Sequence, residues 1–311
     1  MQVVDDITGL IGNTPLVGIH SLSPNPGVRI WAKLEGQNPT GSVKDRIARA
    51  MIQAAEAKGE LTPDQILLEP TSGNTGISLA FFARRRGYRL VCVMPETASE
   101  ERTKLIQLFG GHVVYSPGEK GSNGAIRMAT EMAEKDSRYL MLYQYGNEAN
   151  PRAHYETTGP EILRDLPGVT HFVAGLGTGG TLTGVGRFFS EHRPDVRIVA
   201  AEPEQGDLVY GLRSLEEGFI PPVLDERVLH RKVKVNSTDS VTWTRELLDK
   251  EGIFAGISSG ATVHVARRVA QGLDSGDIVC LFADGGWKYL STDIWTKQVD
   301  EAAKGVEYMP W

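Results

Sequence analysis

A chain of 311 residues, 41% hydrophobic and 23% charged, has apolar material for a large core and suggests two domains or one large α/β unit. Its formal net charge of −6 lacks the basic excess that nucleic-acid binding needs, so no nucleic-acid partner is expected. The opening "MQVVDDITGL" has no basic segment followed by a long apolar run, and no stretch approaches the roughly 20 apolar residues of a membrane span, so the expectation is no membrane association and a cytoplasmic location.

Along the chain, "VRIWAKLE" reads as a strand, and Val43, Ile47, Met51, Ile52 and Ala55 then recur on one face of a helix that Gly59 stops. "QILLEP" is a short apolar run, "GISLAFFARRRG" a helix closed by Gly87, and "YRLVCVMP" a buried strand. Thr97 and Glu100 spell a Thr-x-x-Glu capping box before "RTKLIQLFGG", and "HVVYS", "NGAIRMATEMAEK" and "YLMLYQ" repeat strand, helix, strand. After the polar "YGNEANPRAHYETTGPEI" the order resumes in "THFVAGLGTGGTLTGVGRFFSEHRPDVRIVAAEPE". This alternation predicts an α/β fold of parallel βαβ units, divided into domains 1–145 and 146–311, with the N-terminal strand free to join the second. Residues 204–235 read as an irregular stretch, longer than an ordinary connection and therefore functional. Cys92 and Cys280 sit in apolar runs and are expected as buried core thiols. The seven histidines have neither HExxH spacing nor cysteine partners, so no metal site is expected.

Ligands of parallel sheets collect where strands end and helices begin, which singles out four loops: "NPTGSVKD" (38–45), "EPTSGNTG" (69–76), "GLGTGGTLTG" (175–184) and "GISSGA" (256–261). In the third, Gly177, Thr178, Gly179, Gly180 and Thr181 follow an apolar strand and open a helix, so their amides and hydroxyls suit an anion at the positive helix end. Gly175, Gly177 and Gly180 also spell a dinucleotide fingerprint, on which alone a nicotinamide-dependent oxidoreductase would rest. Thr71, Ser72 and Thr75 offer hydroxyls ahead of another helix, suited to a carboxylate or to simple capping. Lys44 stands in a first helical turn, the wrong end for a cation. Either it is solvated and paired with Asp45, or its pKa is lowered so that it can attack an aldehyde.

These four loops, in this order, within a stretch from "IGNTPLV" (11–17) to "KYLST" (288–292), resemble the cysteine synthase family of fold-type II pyridoxal 5′-phosphate (PLP) enzymes. The resemblance implies a tryptophan synthase β-like fold of two doubly wound α/β domains, and a homodimer. It implies Lys44 as the Schiff-base lysine, Asn74 as partner of the cofactor's phenolic oxygen, and Gly177 to Thr181 as holders of its phosphate. Thr71, Ser72, Thr75 and Gln144 would take the substrate carboxylate. Ser258 would face the pyridine nitrogen and could also cap its helix. A neutral hydroxyl there leaves the ring a weaker electron sink, which favours loss of a β-substituent over transamination. The implied chemistry is β-replacement through an α-aminoacrylate to cysteine, with Lys44 as base and then acid.

The segment "ADGGWKYLST" (283–292) departs from the Ser-[Phe/Ser]-Gly-Glu-Arg-Tyr-Leu-Ser of members that use O-acetylserine, and looks like the branch that uses O-phospho-L-serine. Arg213, in "VYGLRSLEEGFIP" (209–221), would grip the phosphate with paired charge-assisted hydrogen bonds rather than sit solvated near Glu216 and Glu217. That branch is similar to enzymes that take sulfur from sulfide or from a small carrier protein ending in a thiocarboxylate. The tail "GVEYMPW" would then lie over the site mouth, where a frayed end or a dimer contact is the plainer alternative. Trp287 and Tyr289 are expected in the pocket wall or the core. The other readings kept open are an O-acetylserine sulfhydrylase, a cystathionine β-synthase without room for an appended regulatory module, and a relative that holds PLP without turnover.

Overall fold

The apolar runs fold as strands wherever glycine or proline bounds them within five to seven residues, and as helices where the apolar spacing follows the helical repeat. The computed structural model describes residues 3–71 and 73–307, with backbone alone at 293 and 305–307. In chain order the elements are β1 (Leu16–Gly18), β2 (Val28–Leu34), α1 (Lys44–Ala57), β3 (Ile66–Pro70), α2 (Asn74–Arg86), β4 (Arg89–Pro95), α3 (Glu100–Leu108), β5 (His112–Ser116), α4 (Gly121–Lys135) and β6 (Tyr139–Met141). There follow α5 (Ala149–Ala153), a π-helical turn (His154–Thr158), α6 (Gly159–Asp165), β7 (His171–Gly175), α7 (Gly180–His192), β8 (Arg197–Pro203), β9 (Arg231–Val235), α8 (Ser237–Glu251), α9 (Ile257–Ala270), β10 (Gly276–Phe282) and α10 (Val299–Glu307).

Two sheets result. The smaller is all parallel in the order β5-β4-β3-β6, and the larger runs β1-β2-β10-β7-β8-β9, parallel except where β1 meets β2. Side chains alternate across each strand, so β10 sends Ile278 and Cys280 to the layer of α8 and α9, and Val279 and Leu281 to the layer of α7. Both faces are covered, as parallel sheets require. The small sheet is covered by α1 and α2 through Ile47, Met51, Ile77 and Phe82, and on its other face by α4 through Ala125 and Ala129. Cys92 and Cys280 are free and fully buried.

Three local expectations are corrected. Thr97 does not cap α3: a Pro95–Ala98 turn takes up Thr97, and the helix opens two residues later with Ser99 at its N-cap and no side-chain cap bond. The stretch 204–235 is not irregular to its end, because its last five residues form β9 on the sheet edge. Its alternation is masked by the charged Arg231, Lys232 and Lys234, of which the half-buried Lys234 stands between the buried Val233 and Val235 and pairs with Glu202 and Glu216. Ser258 is not an N-cap but lies inside the first turn of α9, after Gly256. Among the described residues no helix is long and apolar enough to cross a membrane. The segments that follow β3, β6, β7 and β10 all reach one cleft.

Candidate active site

Lys44 is fixed by its neighbours before it does anything. The amide of Val43 donates to Ala283 O at 2.8 Å and Ser42 bridges to Asp284, so the start of α1 is laced to the end of β10. Lys44 lines both parts of the cleft, and burial lowers its amine to about 8 against the opposing pull of Asp284. Asp45 is not its partner. That buried carboxylate accepts from Thr40 N at 2.7 Å, from the Thr40 hydroxyl, and from Ser78 Oγ at 2.6 Å, joining α1 to α2.

The inner part of the cleft, about 60 Å³, is bounded by Lys44, Asn74, the 177–181 loop, Ser258, Asp284 and Tyr289. The Thr178 hydroxyl accepts from Gly180 N at 3.3 Å and from Asn150 Nδ2 at 3.1 Å, which leaves its own proton for an outside acceptor. Thr181 Oγ1 lies 3.1 Å from Nε2 of the buried His154, whose Nδ1 meets Thr158 Oγ1 at 2.9 Å. Burial and the charge of Arg46 take His154 down to about 3, so this bridge is neutral. The glycines are required by space: a Cβ at Gly177 would stand 2.6 Å from Gly211 O, and one at Gly180 only 1.9 Å from Asn150 Oδ1. Hydroxyl and amide donors at a helix N-terminus, with a deprotonable amine and a neutral Ser258 opposite, fit the phosphate, aldehyde and ring nitrogen of PLP.

On the neighbouring wall Thr71, Thr75 and Gln144 are each more than nine-tenths buried. Thr75 Oγ1 donates to Gln144 Oε1 at 2.7 Å, and Thr71 Oγ1 accepts from Gly73 N at 3.1 Å. Beneath them Glu69 accepts from Tyr143 N at 2.7 Å and Gln144 N at 3.0 Å, holding Tyr143 in the left-handed region at φ 55. Burial raises Glu69 to about 8 despite those two bonds. Ser72 and residues 308–311 of the tail lie outside the described residues.

The outer part, about 270 Å³, is walled by Arg102, Lys120, Ser122, Asn123 and Arg213. Arg213 Nη1 donates to Asn123 Oδ1 at 3.1 Å, and its guanidinium lies 4.6 Å from the Phe219 ring centroid and 5.4 Å from that of Tyr145. Glu216 pairs with Lys234 instead. Tyr289 lines the cleft, whereas Trp287 is 40% exposed and covers Gly41. Sequence reasoning missed Arg102, Asp284 and Lys288. Arg102 lies over the rings of Tyr210 and Tyr289, and Asp284 and Lys288 flank Asn74. Asp284 and Lys288 had a signal, since both lie in the 283–292 segment that departs from the family pattern after a buried strand; Arg102 had none.

Residues 7–284 match the family described as "Pyridoxal-phosphate dependent enzyme". Cysteine synthase B of Salmonella typhimurium is 42% identical over 297 residues, covering 95% of this chain and 98% of the relative. Cysteine synthase of Staphylococcus aureus is 42% identical over 303 residues, covering 94% and 97%. Among solved structures, an O-ureido-L-serine synthase matches with a TM-score of 0.89 at 41% identity, covering 96% of this chain and 99% of that one. A cysteine synthase (OASS) of Entamoeba histolytica matches with a TM-score of 0.89 at 31% identity, covering 98% and 96%. With that degree of likeness over nearly its whole length, and with a cleft that fits the cofactor, the chain belongs to the pyridoxal-phosphate dependent enzyme family of fold type II, as a cysteine synthase-type PLP enzyme.

Proposed function

We propose that this enzyme makes L-cysteine by β-replacement on O-phospho-L-serine. The observation that carries the reading is the Arg213 guanidinium on the outer wall of the cleft, steadied by Asn123, Phe219 and Tyr145. Its planar fork of donors suits a phosphate ester, and a neutral acetyl ester has no use for it. When bound, PLP supplies an electron sink for charge developing at the substrate Cα. The Lys44 amine, held near neutrality by burial, takes the Cα proton and later returns it. Thr71, Ser72, Thr75 and Gln144 hold the substrate carboxylate, Asn74 donates to the phenolic oxygen, and Ser258 faces the ring nitrogen. Thr178 and Thr181 donate with the loop amides to the cofactor phosphate. Sulfur arrives as sulfide or as the thiocarboxylate end of a small carrier protein, and the working unit is a homodimer.

A second reading, O-acetylserine as substrate, is favoured by the likeness to the Entamoeba histolytica structure described as OASS. The two separate in one experiment. The visible absorption of the PLP-loaded enzyme is titrated with O-phosphoserine and, separately, with O-acetylserine, for the wild type and Arg213→Ala. Half-conversion at lower phosphoserine concentration, with the preference erased in Arg213→Ala, supports the proposal. Equal or better response to acetylserine in both proteins sinks it. Cysteine formation with sulfide against a thiocarboxylated carrier tests the donor, and sedimentation tests the dimer.

A further inference from the structure

Asn74 is held at both ends of its amide. Its Nδ2 donates to Asp284 Oδ2 at 2.7 Å, and its Oδ1 accepts from Lys288 Nζ at 2.8 Å. A carboxylate only accepts and an ammonium only donates, so chemistry alone dictates which end is oxygen and which is nitrogen. Both clamping groups are interior: Lys288 is 0% and Asp284 2% exposed.

The clamp is itself anchored. Asp284 Oδ2 also accepts from Tyr289 Oη at 2.8 Å, which requires it to stay an acceptor. The Asp284 carbonyl accepts from Gly256 N at 3.0 Å, beside the turn that carries Ser258, and its backbone bridges to Ser42, two residues before Lys44. The carboxylate is therefore fixed to the segments that present the other two cofactor-facing side chains. Lys288 is lowered to about 8 by burial, with Asp284 and Asp45 opposing, and its nitrogen is a donor whether charged or neutral.

An unclamped asparagine amide rotates over a broad, roughly two-fold profile, and the flipped form would aim oxygen lone pairs at an oxygen ligand. The clamp removes that form and leaves one Nδ2 hydrogen uncommitted on a side chain that lines the cleft with Lys44. We propose that Asp284 and Lys288 are positioning residues that keep Asn74 facing the phenolic oxygen of PLP as a donor and never as an acceptor. This rests on the reading of Asn74 as the partner of that oxygen. It gives Asp284 and Lys288 of the departing segment a function: they set the protonation of the cofactor through Asn74.

The test uses the PLP-loaded enzyme without substrate and reads two quantities, the ratio of the cofactor's phenolate to neutral-phenol absorption bands and the dissociation constant of PLP. Lys288→Met is expected to shift the ratio in the same direction as Asn74→Ala and to weaken PLP binding about threefold to tenfold, the worth of one hydrogen bond. Lys288→Arg, which keeps the donor, is expected to retain the wild-type ratio. In the Asn74→Ala background, Lys288→Met is expected to add nothing to either readout. Effects that add in full, or no effect of Lys288→Met, overturn the clamp. If Asn74→Ala alone moves neither readout, the assignment of Asn74 fails and the inference falls with it. Should thermal melting show Lys288→Met unfolded, Asp284→Ala, which removes the acceptor for Asn74 Nδ2, is read in its place with the same two outcomes.

Discussion

Arg46 grips Glu161 through two hydrogen bonds of 2.7 Å, Nη1 to Oε1 and Nη2 to Oε2, and so ties the helix that carries Lys44 to α6. The same guanidinium reaches Glu35 at 2.7 and 2.8 Å, and Lys33 Nζ reaches Glu161 at 2.8 Å. Two cations and two carboxylates thus balance in the interior. Arg46→Met leaves one cation for two buried carboxylates and is expected to lower unfolding free energy by about 3–5 kcal/mol. Urea denaturation of the apo-protein measures it, and a loss below about 1 kcal/mol would mean that water has entered to solvate the cluster.

Acid should weaken the fold in two stages. A histidine held down at about 3 stabilises fully above its unfolded value near 6.5, and that contribution is lost as pH falls toward 3. Glu161 follows lower down. Burial pushes it up, but Arg46 and Lys33 overcome this and hold it at about 2, so its contribution is lost between about 4.5 and 2. Glu69, raised to about 8, acts in the opposite sense, favouring the fold most at low pH. Melting temperatures of wild type and His154→Gln between pH 7 and 5 separate these. The wild type is expected to lose up to about 1.4 kcal/mol per pH unit more than the variant. Parallel curves would assign the imidazole no part.

Capture of PLP by the apo-protein needs a neutral Lys44 amine. With that amine lowered to about 8, the capture rate should rise with pH and reach half its maximum near 8. A midpoint near the ordinary lysine value of about 10.4 would contradict the burial of this side chain.

Gly180→Ala would put a methyl 1.9 Å from Asn150 Oδ1, and Asn150 donates both to Thr178 Oγ1 and to Gln144 O at 2.9 Å. Displacing it disturbs the phosphate loop and the carboxylate wall together. The expected outcome is about 1–3 kcal/mol of lost stability and PLP binding weakened at least about tenfold, read by denaturation and by equilibrium titration. Unchanged cofactor affinity would show that Asn150 yields without disturbing Thr178.

Much of this was legible in the chain. The helix from Lys44 was readable because Ile47, Met51 and Ile52 repeat on one face and Gly59 stops them, and the loop 177–181 because its glycines follow a buried strand. What escaped was whatever depends on residues distant in sequence. Lys33, Glu35 and Arg46 look like surface residues by type, and they are buried only through tertiary pairing, Lys33 and Arg46 with Glu161 and Glu35 with Arg46. Lys288 is 214 positions from Asn74, so no local pattern could announce their contact. β9 was hidden because an edge strand carries charge on the face that a buried strand would not.

The pairing of β2 with β10 also sets an order of events. The strands of the small sheet all lie within residues 66–141, with the covering α1 just ahead of them, whereas the large sheet must hold residues 28–34 against 276–282. During synthesis the second strand to emerge waits, unpaired on that side, until nearly the whole chain has left the ribosome. Such long-range closure is slow. Pulse-labelled hydrogen exchange during refolding should find β3 and β4 amides protected before those of β2 and β10, so that the Lys44 loop, pinned to Ala283, becomes competent last.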